Sequence, residues 1–401
     1  MAKEGRLAAP ARDFEATGVT DWPLGPRLTL AGSRAAFAHE RSFTLGVEEE
    51  LLLVDPVSFE LAPAVDEVVP LLGGDPRFAR ELRPSQLETV SRVCATAADA
   101  CREMAAARRD LVAAVAGRYR LVASGTHPWS TAWGVITEGE HYRRIADEYT
   151  WAAQRSLACG LHVHVAVDDP DRALAVFNAM RSYLPELAAL TANSPYFEGH
   201  DIGMCSIRPK LNDAFPRSGI PPAFRSWDEL FRFTEWGRKG GLFPDASHFW
   251  WDLRPHLQHG TLEVRVADTQ TSVVDGAAAV ALIQALAAWL ADRHDRGEEL
   301  PVHEAHWISE NAWRAHRYGV RGWLVDLESG EREPTRARLE RLLTQLEPYA
   351  DDLGGLDHLR DARVLLAGNG SDRQRYVYEG RGRVGLVRWL ADTTEAPVEN
   401  D

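Results

Sequence analysis

Three pairs of ionisable side chains recur at a spacing of two along otherwise apolar stretches. They are Glu48 and Glu50, His162 and His164, and Glu263 and Arg265. Successive side chains of a β-strand point to opposite faces, so each pair shares one face, with partners about 6–7 Å apart. In the stretch 43–55, Glu49 points the other way, onto the face of Leu45, Val47, Leu51 and Leu53. Leu52 and Val54 continue the face of the acidic pair. Two carboxylates on such a strand repel each other and lose hydration, and a bound cation is the usual remedy. A solvated edge, a satisfied histidine pair or a surface ion pair accounts for each pair singly. Three pairs together, with Glu88 in a further strand and a Gly125-Thr126-His127-Pro128 turn, point to a polar catalytic floor.

Carboxylates outnumber histidines in this set. Hard oxygen ligands favour Mg2+ or Mn2+, and Mg2+ usually accompanies phosphate. Arg208, Arg254, Arg265, Arg373 and Arg375 suit phosphate oxygens or a substrate carboxylate. The chain has no GxxxxGK[ST] loop and no GxSxG elbow. Residues 380–385 match GxGxxG by spacing, but lie too near the C-terminus to open a βαβ unit. That match reads as chance or as a flexible basic loop.

The elements that must position these residues follow from the pattern. Alternation predicts strands at 43–55, 87–94, 121–124, 159–167 and 260–268. Glu88 falls inside the second, and Glu81 just before it. Helices are expected at 97–118, 141–151, 172–192, 227–237 and 276–293, and through much of the remainder. The segment 196–224 is a long loop dense in Gly and Pro, carrying Asp201, Ser206, Arg208 and Arg217. If ordered, such a loop is more often functional than not. Helices would cover the apolar face of one shared sheet and leave its polar face open.

Bulk properties narrow the class. The chain has 401 residues, 45% of them hydrophobic, and a formal net charge of −14. The acidity disfavours nucleic acid and anionic membrane as partners, without excluding an anionic substrate held by local arginines. Four cysteines with no CxxC pair indicate reduced thiols and a cytoplasmic setting. The apolar run 277–290 is short for a membrane span. Residues 1–40 read as an irregular extension with little to bury, 41–390 as one domain and 391–401 as a tail.

Six spaced motifs carry a family resemblance. They are Gly46-Val47-Glu48-Glu49-Glu50, Gly125-Thr126-His127-Pro128, residues 159–165 (CGLHVHV), Asn193-Ser194-Pro195, Trp251-Asp252-Leu253-Arg254-Pro255 and residues 260–265 (GTLEVR). In this order, over roughly 42–380, the chain resembles the YbdK-type carboxylate–amine ligases, the second glutamate–cysteine ligase family. The resemblance implies an α+β fold with a glutamine-synthetase-like, curved, mostly antiparallel sheet backed by helices. It implies ATP and Mg2+ or Mn2+ as cofactors, with glutamate and cysteine, or another amine, as small-molecule substrates. The glutamate γ-carboxylate would be phosphorylated by ATP, and the amine would then displace phosphate. Glu48, Glu50, Glu88 and Glu263 become the expected metal acids. His164, Arg254 and Arg265 become the expected catalytic contacts. His162, Thr126, Arg208, Arg373 and Arg375 become substrate or phosphate contacts, the last two closing over the site from the C-terminal end. A homodimer is suggested by the resemblance alone.

One departure stands out: Ser91-Arg92 occupies the place of the family's usual Thr-Pro. Three competing readings follow from the same residues. One is a ligase for a different amine or amino acid, the second a zinc hydrolase built on His162 and His164, and the third a non-catalytic protein of the same fold.

Overall fold

The computed structural model describes residues 28–398 apart from 116 and 132. Its centre is an open seven-stranded sheet. In chain order the strands are β1 (Leu45–Val54), β2 (Phe78–Arg80), β3 (Gln86–Val90), β4 (Arg120–Val122), β5 (Gly160–Ala166), β6 (Leu253–His256) and β7 (Thr261–Asp268). The spatial order is β6-β7-β5-β1-β3-β2, and β4 pairs with the second half of β1 on the side that β5 leaves free. Every pairing in this sheet is antiparallel. This is the expected α+β class, and β1 is central because it alone bonds three partners.

Register explains why β1 is patterned as it is. Cross-strand partners share a face, and here Glu48 lies opposite His162, Glu50 opposite Glu88, and His164 opposite Glu263. A bulge between Val264 and Ala267 interrupts the β5–β7 ladder at Arg265. An inserted residue there bends the strand and re-aims the side chains beside it.

The opposite face is apolar. Leu45, Val47, Leu161, Val163, Val165, Leu262 and Val264 join the main core. Among the helices that cover it are α2 (Ala97–Val115) and α4 (Val273–Asp295). Helix α4 begins at a Ser272 cap and runs longer than its apolar stretch suggests. Its length and hydropathy would suffice to cross a membrane, but 94% of that window is buried inside the protein. Glu49 points into this core, fully buried, and Arg108 of α2 holds it with Nη2 2.7 Å and Nε 3.2 Å from its two oxygens.

Three expectations about the chain's periphery need correction. Residues 1–27 of the expected extension lie outside the described residues, but 28–40 is ordered. It carries α1 (Leu30–Ala35), capped by Thr29, and Phe37 is fully buried, edge-on to Trp227. This segment also clamps the β6–β7 turn. His39 Nε2 lies 2.6 Å from Gly260 O, and a Cβ on Gly260, whose φ is +70°, would meet Ala36 O at 1.9 Å. Second, residues 380–385 are helical, not a loop. They lie within α5 (Gly370–Thr394), broken only at Gly382, where φ is +65°. Third, α5 runs past the expected start of the tail at 391. Ala391 and Thr394 are buried, and Thr394 Oγ1 accepts from Ala123 N at 2.9 Å. Leu386, Val387 and Leu390 cover Leu52 and Val54, so the helix caps the apolar end of the site's own face.

Candidate functional site

The polar face forms the floor of a cleft of about 330 Å³. Glu48, Glu50, Glu88, His162, Arg208, Arg254 and Arg265 all line it. Helix α3 (Glu140–Arg155) and the loops around Phe215 and Trp250 form its walls.

Two acid clusters sit on this floor. In the first, single ligand atoms of Glu48, His164 and Glu263 lie within 4.8 Å of one another. Glu48 accepts on both oxygens: Oε2 is 3.2 Å from His162 Nδ1, and Oε1 is 3.2 Å from His164 Nε2. Burial opposes its charge, yet these hydrogen bonds prevail and hold it well below the usual carboxylate range. Glu263, fully buried, accepts from Arg254 Nε at 2.7 Å and pairs through its other oxygen with Arg265. Burial again opposes ionisation, and the two guanidiniums outweigh it. His162 is pushed down to about 4 by burial and then by Arg265, so it is neutral at pH 7. His164 moves the other way: burial lowers it, but Glu263 and Glu48 raise it.

The second cluster holds Glu50, Glu81 and Glu88, again within 4.8 Å. Here burial is not offset. Glu50 is pushed up to about 8 by burial and then by Glu81, although Gly160 N donates to its Oε2 at 2.6 Å. Glu88 rises well above the usual range through burial and the charges of Glu81 and Glu48. Three carboxyls brought this close, with the charged forms of Glu50 and Glu88 disfavoured, are a donor set suited to a hard divalent cation. Gly160 has no room for a side chain, because a Cβ would meet His162 Nε2 at 2.6 Å.

Not every expected residue reaches the cleft. Thr126 is buried and donates its hydroxyl to Tyr196 O at 2.9 Å. The Gly125–Pro128 turn is structural: a Cβ on Gly125 would meet Asp268 Cγ at 2.6 Å, and His127 Nδ1 accepts from Trp129 N and Ser130 N. Arg373 pairs with Asp275 at 2.6 Å, and Arg375 with Asp201 at 2.8 Å, both on α5 and neither lining the cleft. These three corrections share a cause. Spacing shows that a side chain is able to reach a site, not which nearer partner claims it. Arg208 does line the cleft, but its Nε is turned to Asp268 Oδ1 at 3.2 Å. Arg92 lies away from the cleft, paired with Glu103 at 2.6 Å, while Ser91 Oγ accepts from Val47 N of β1 at 2.8 Å.

The structure adds residues that motif reasoning left out of the site. Glu81 completes the second cluster, and its position seven residues before Glu88 was the available signal. Tyr142, Ile145, Phe215 and Trp250 form a wall that no sequence pattern marked. Buried Arg83 draws the wall in, donating to Ala153 O, Ser156 O and Val135 O at 2.6 Å each. A smaller cavity of about 150 Å³ adjoins the first cluster across Arg254 and Ser247, lined partly by Phe231, Pro244 and Leu257.

An open antiparallel sheet carries two acid clusters and guanidiniums on one face, and comparisons with known proteins say which class has this arrangement. The glutamate–cysteine ligase family 2 profile matches residues 44–385, and the chain belongs to that family. Two relatives are named "Putative glutamate--cysteine ligase", numbered 2-3 in Rubrobacter xylanophilus and 2 in Sorangium cellulosum. The first is 36% identical, over 89% of this chain and 99% of its own length; the second is 38% identical, over 84% and 92%. Among solved structures, a glutamate–cysteine ligase of Francisella tularensis in complex with AMP superposes with a TM-score of 0.66 at 13% identity, over 90% of each chain. A bifunctional glutathione synthetase of Pasteurella multocida reaches 0.58 at 15% identity, over 91% of this chain and 52% of that one. At these identities the structural matches speak for the fold. A zinc hydrolase built on His162 and His164 would call for a parallel α/β barrel, whereas every pairing of the central sheet is antiparallel.

Proposed function

We propose that the protein is an ATP-dependent carboxylate–amine ligase acting on glutamate through an acyl-phosphate intermediate. The observation that carries this is the pair of acid clusters on one floor, one charge-compensated by histidine and arginine and one not. Joining a carboxylate to an amine through ATP gathers several anions in one place, so repulsion is the main barrier. Divalent cations, when bound, would neutralise part of that charge. Glu50, Glu81 and Glu88 are fitted to hold one, and Glu48 with His164 and Glu263 another.

The remaining residues position the substrates. Arg265, held through Nη1 by Glu263, would turn the rest of its guanidinium to phosphate oxygens, while Arg254, tied to Glu263 and to the Ser247 carbonyl, adds fixed positive charge beside it. The small cavity beyond Arg254 mixes apolar side chains (Leu28, Phe231, Pro244, Leu257) with polar ones and shares Arg254 and Ser247 with the cleft, which makes it the candidate place for a nucleotide base. A carboxylate oxygen of glutamate attacks the γ-phosphorus and ADP departs. The amine nitrogen then attacks the acyl carbon, the C–O bond breaks, and phosphate leaves with that oxygen as the amine loses a proton. The acceptor to test first is cysteine, after the family's name. The test is ADP release with Mg2+, ATP, glutamate and a panel of amines. Amine-dependent ADP with an amide product supports the proposal, and no ADP above background with any pair sinks it.

A further inference from the structure

The cleft wall beyond the second cluster is apolar and aromatic. Tyr149, Ala152, Ala153 and Phe215 form a small buried cluster separate from the main core, with Ile145 and Trp250 half-buried against it. Phe215 and Trp250 sit with ring centroids 5.1 Å apart. Ile145, Phe215 and Trp250, with Tyr142 beside them, face the cleft. An apolar edge left facing a charged cleft is costly unless something apolar covers it.

The charges opposite this wall are equally informative. Among the described residues that line the cleft, the guanidiniums are Arg208, Arg254 and Arg265. Arg254 and Arg265 belong to Glu263 at the phosphate end, and Arg208 to Asp268. Arg217 lies behind Trp250 and donates to His248 O and Tyr149 Oη. The acids beside the wall are Glu50, Glu81 and Glu88, and one divalent cation would leave them net negative. An ammonium is drawn to that end of the cleft. A carboxylate on the same molecule would face three acids, and the guanidiniums that act on them, Arg208 and Arg265, are already paired with Asp268 and Glu263, so little offsets the cost.

Resting on the ligase reading above, we infer that the acceptor is an amine with an apolar or aromatic body and no carboxylate, rather than an α-amino acid such as cysteine. The nitrogen enters toward the acids, and the body lies on Ile145, Phe215 and Trp250.

The full chain is supplied with Mg2+, ATP and glutamate, and hydroxylamine serves as a minimal uncharged acceptor. Glutamyl hydroxamate reports the ligase reaction independently of acceptor choice. Phenethylamine, isobutylamine, cysteine and alanine are then compared by ADP release. The expected result is a kcat/KM for phenethylamine at least about tenfold above that for cysteine. A value for cysteine equal to or above both simple amines, with hydroxamate formed, overturns the inference and leaves the ligase reading standing. No hydroxamate and no ADP with every acceptor overturns both. Trp250→Ala is expected to lower kcat/KM for phenethylamine at least about tenfold more than for hydroxylamine, whose reaction also confirms folding. Equal losses for the two acceptors overturn the inference.

Discussion

Glu48 and Glu50 stand two residues apart on one strand and face the same cleft, yet their carboxyls are held in opposite states. Glu48 is kept ionised by His162 and His164, and its neighbour Glu263 by two arginines. Among the described residues Glu50 accepts from the Gly160 amide, and burial together with the neighbouring Glu81 pushes it up to about 8. The charge of the first cluster is compensated by side chains of the fold itself; that of the second is not. The strand supplies equivalent positions, and the neighbouring strands decide what each becomes.

The largest effect that tests this contrast is on turnover. Glu48→Gln and Glu50→Gln are each expected to lower kcat by at least about a hundredfold, since each removes a carboxylate ligand from a candidate cation site where anions converge. Glu49→Gln should act on stability instead, because Glu49 faces the core and its loss leaves Arg108 buried and unpaired. Activity per folded molecule separates the two, and equal losses of turnover at 48 and 49 would break the assignment of faces.

Next is the fold's dependence on the compensated cluster. Glu263→Gln strands Arg254 and Arg265 without their buried partner and is expected to cost about 3–5 kcal/mol in denaturant unfolding. A loss under about 1 kcal/mol would show that Glu263 is not what holds them.

The uncompensated cluster makes the opposite kind of prediction. The folded, metal-free protein binds protons at Glu50 and Glu88 that the unfolded chain releases near the ordinary glutamate value of 4.5. Stability from this source is therefore present below about pH 4.5 and is lost as pH rises through about 8. Thermal melts in a chelator should fall more steeply between pH 5.5 and 9 for the native chain than for Glu50→Gln, and Mg2+ should raise the melting temperature most at the alkaline end. Parallel slopes would remove the distinction between the clusters.

How much of this was legible follows from the same contrast. The period-two pairing on β1, β5 and β7 disclosed both the sheet and its polar face, because burial on one side enforces alternation. Register was not legible. Nothing in the spacing says that Glu50 meets Glu88 while Glu48 meets His162, and that pairing makes the two glutamates differ. Thr126, Arg373 and Arg375 were misplaced for a related reason: each has a closer partner supplied by a distant segment, Tyr196, Asp275 and Asp201. The N-terminal segment looked idle by composition, but Phe37 packs edge-on against Trp227 and His39 reaches Gly260 in the β6–β7 turn, which docks it on the domain. The smallest predicted effect checks one correction. Thr126→Val should cost about 1–2 kcal/mol of stability and leave KM for ATP and glutamate unchanged within twofold.

The account's central claim is that the carboxylate attacks ATP, and oxygen tracing tests it most directly. Glutamate labelled with 18O in its γ-carboxylate is turned over with Mg2+–ATP and hydroxylamine, and the released phosphate is analysed by mass. One labelled oxygen in each phosphate is the predicted result. Phosphate free of label, released together with ADP, would mean that water rather than the carboxylate attacks, and would contradict the account.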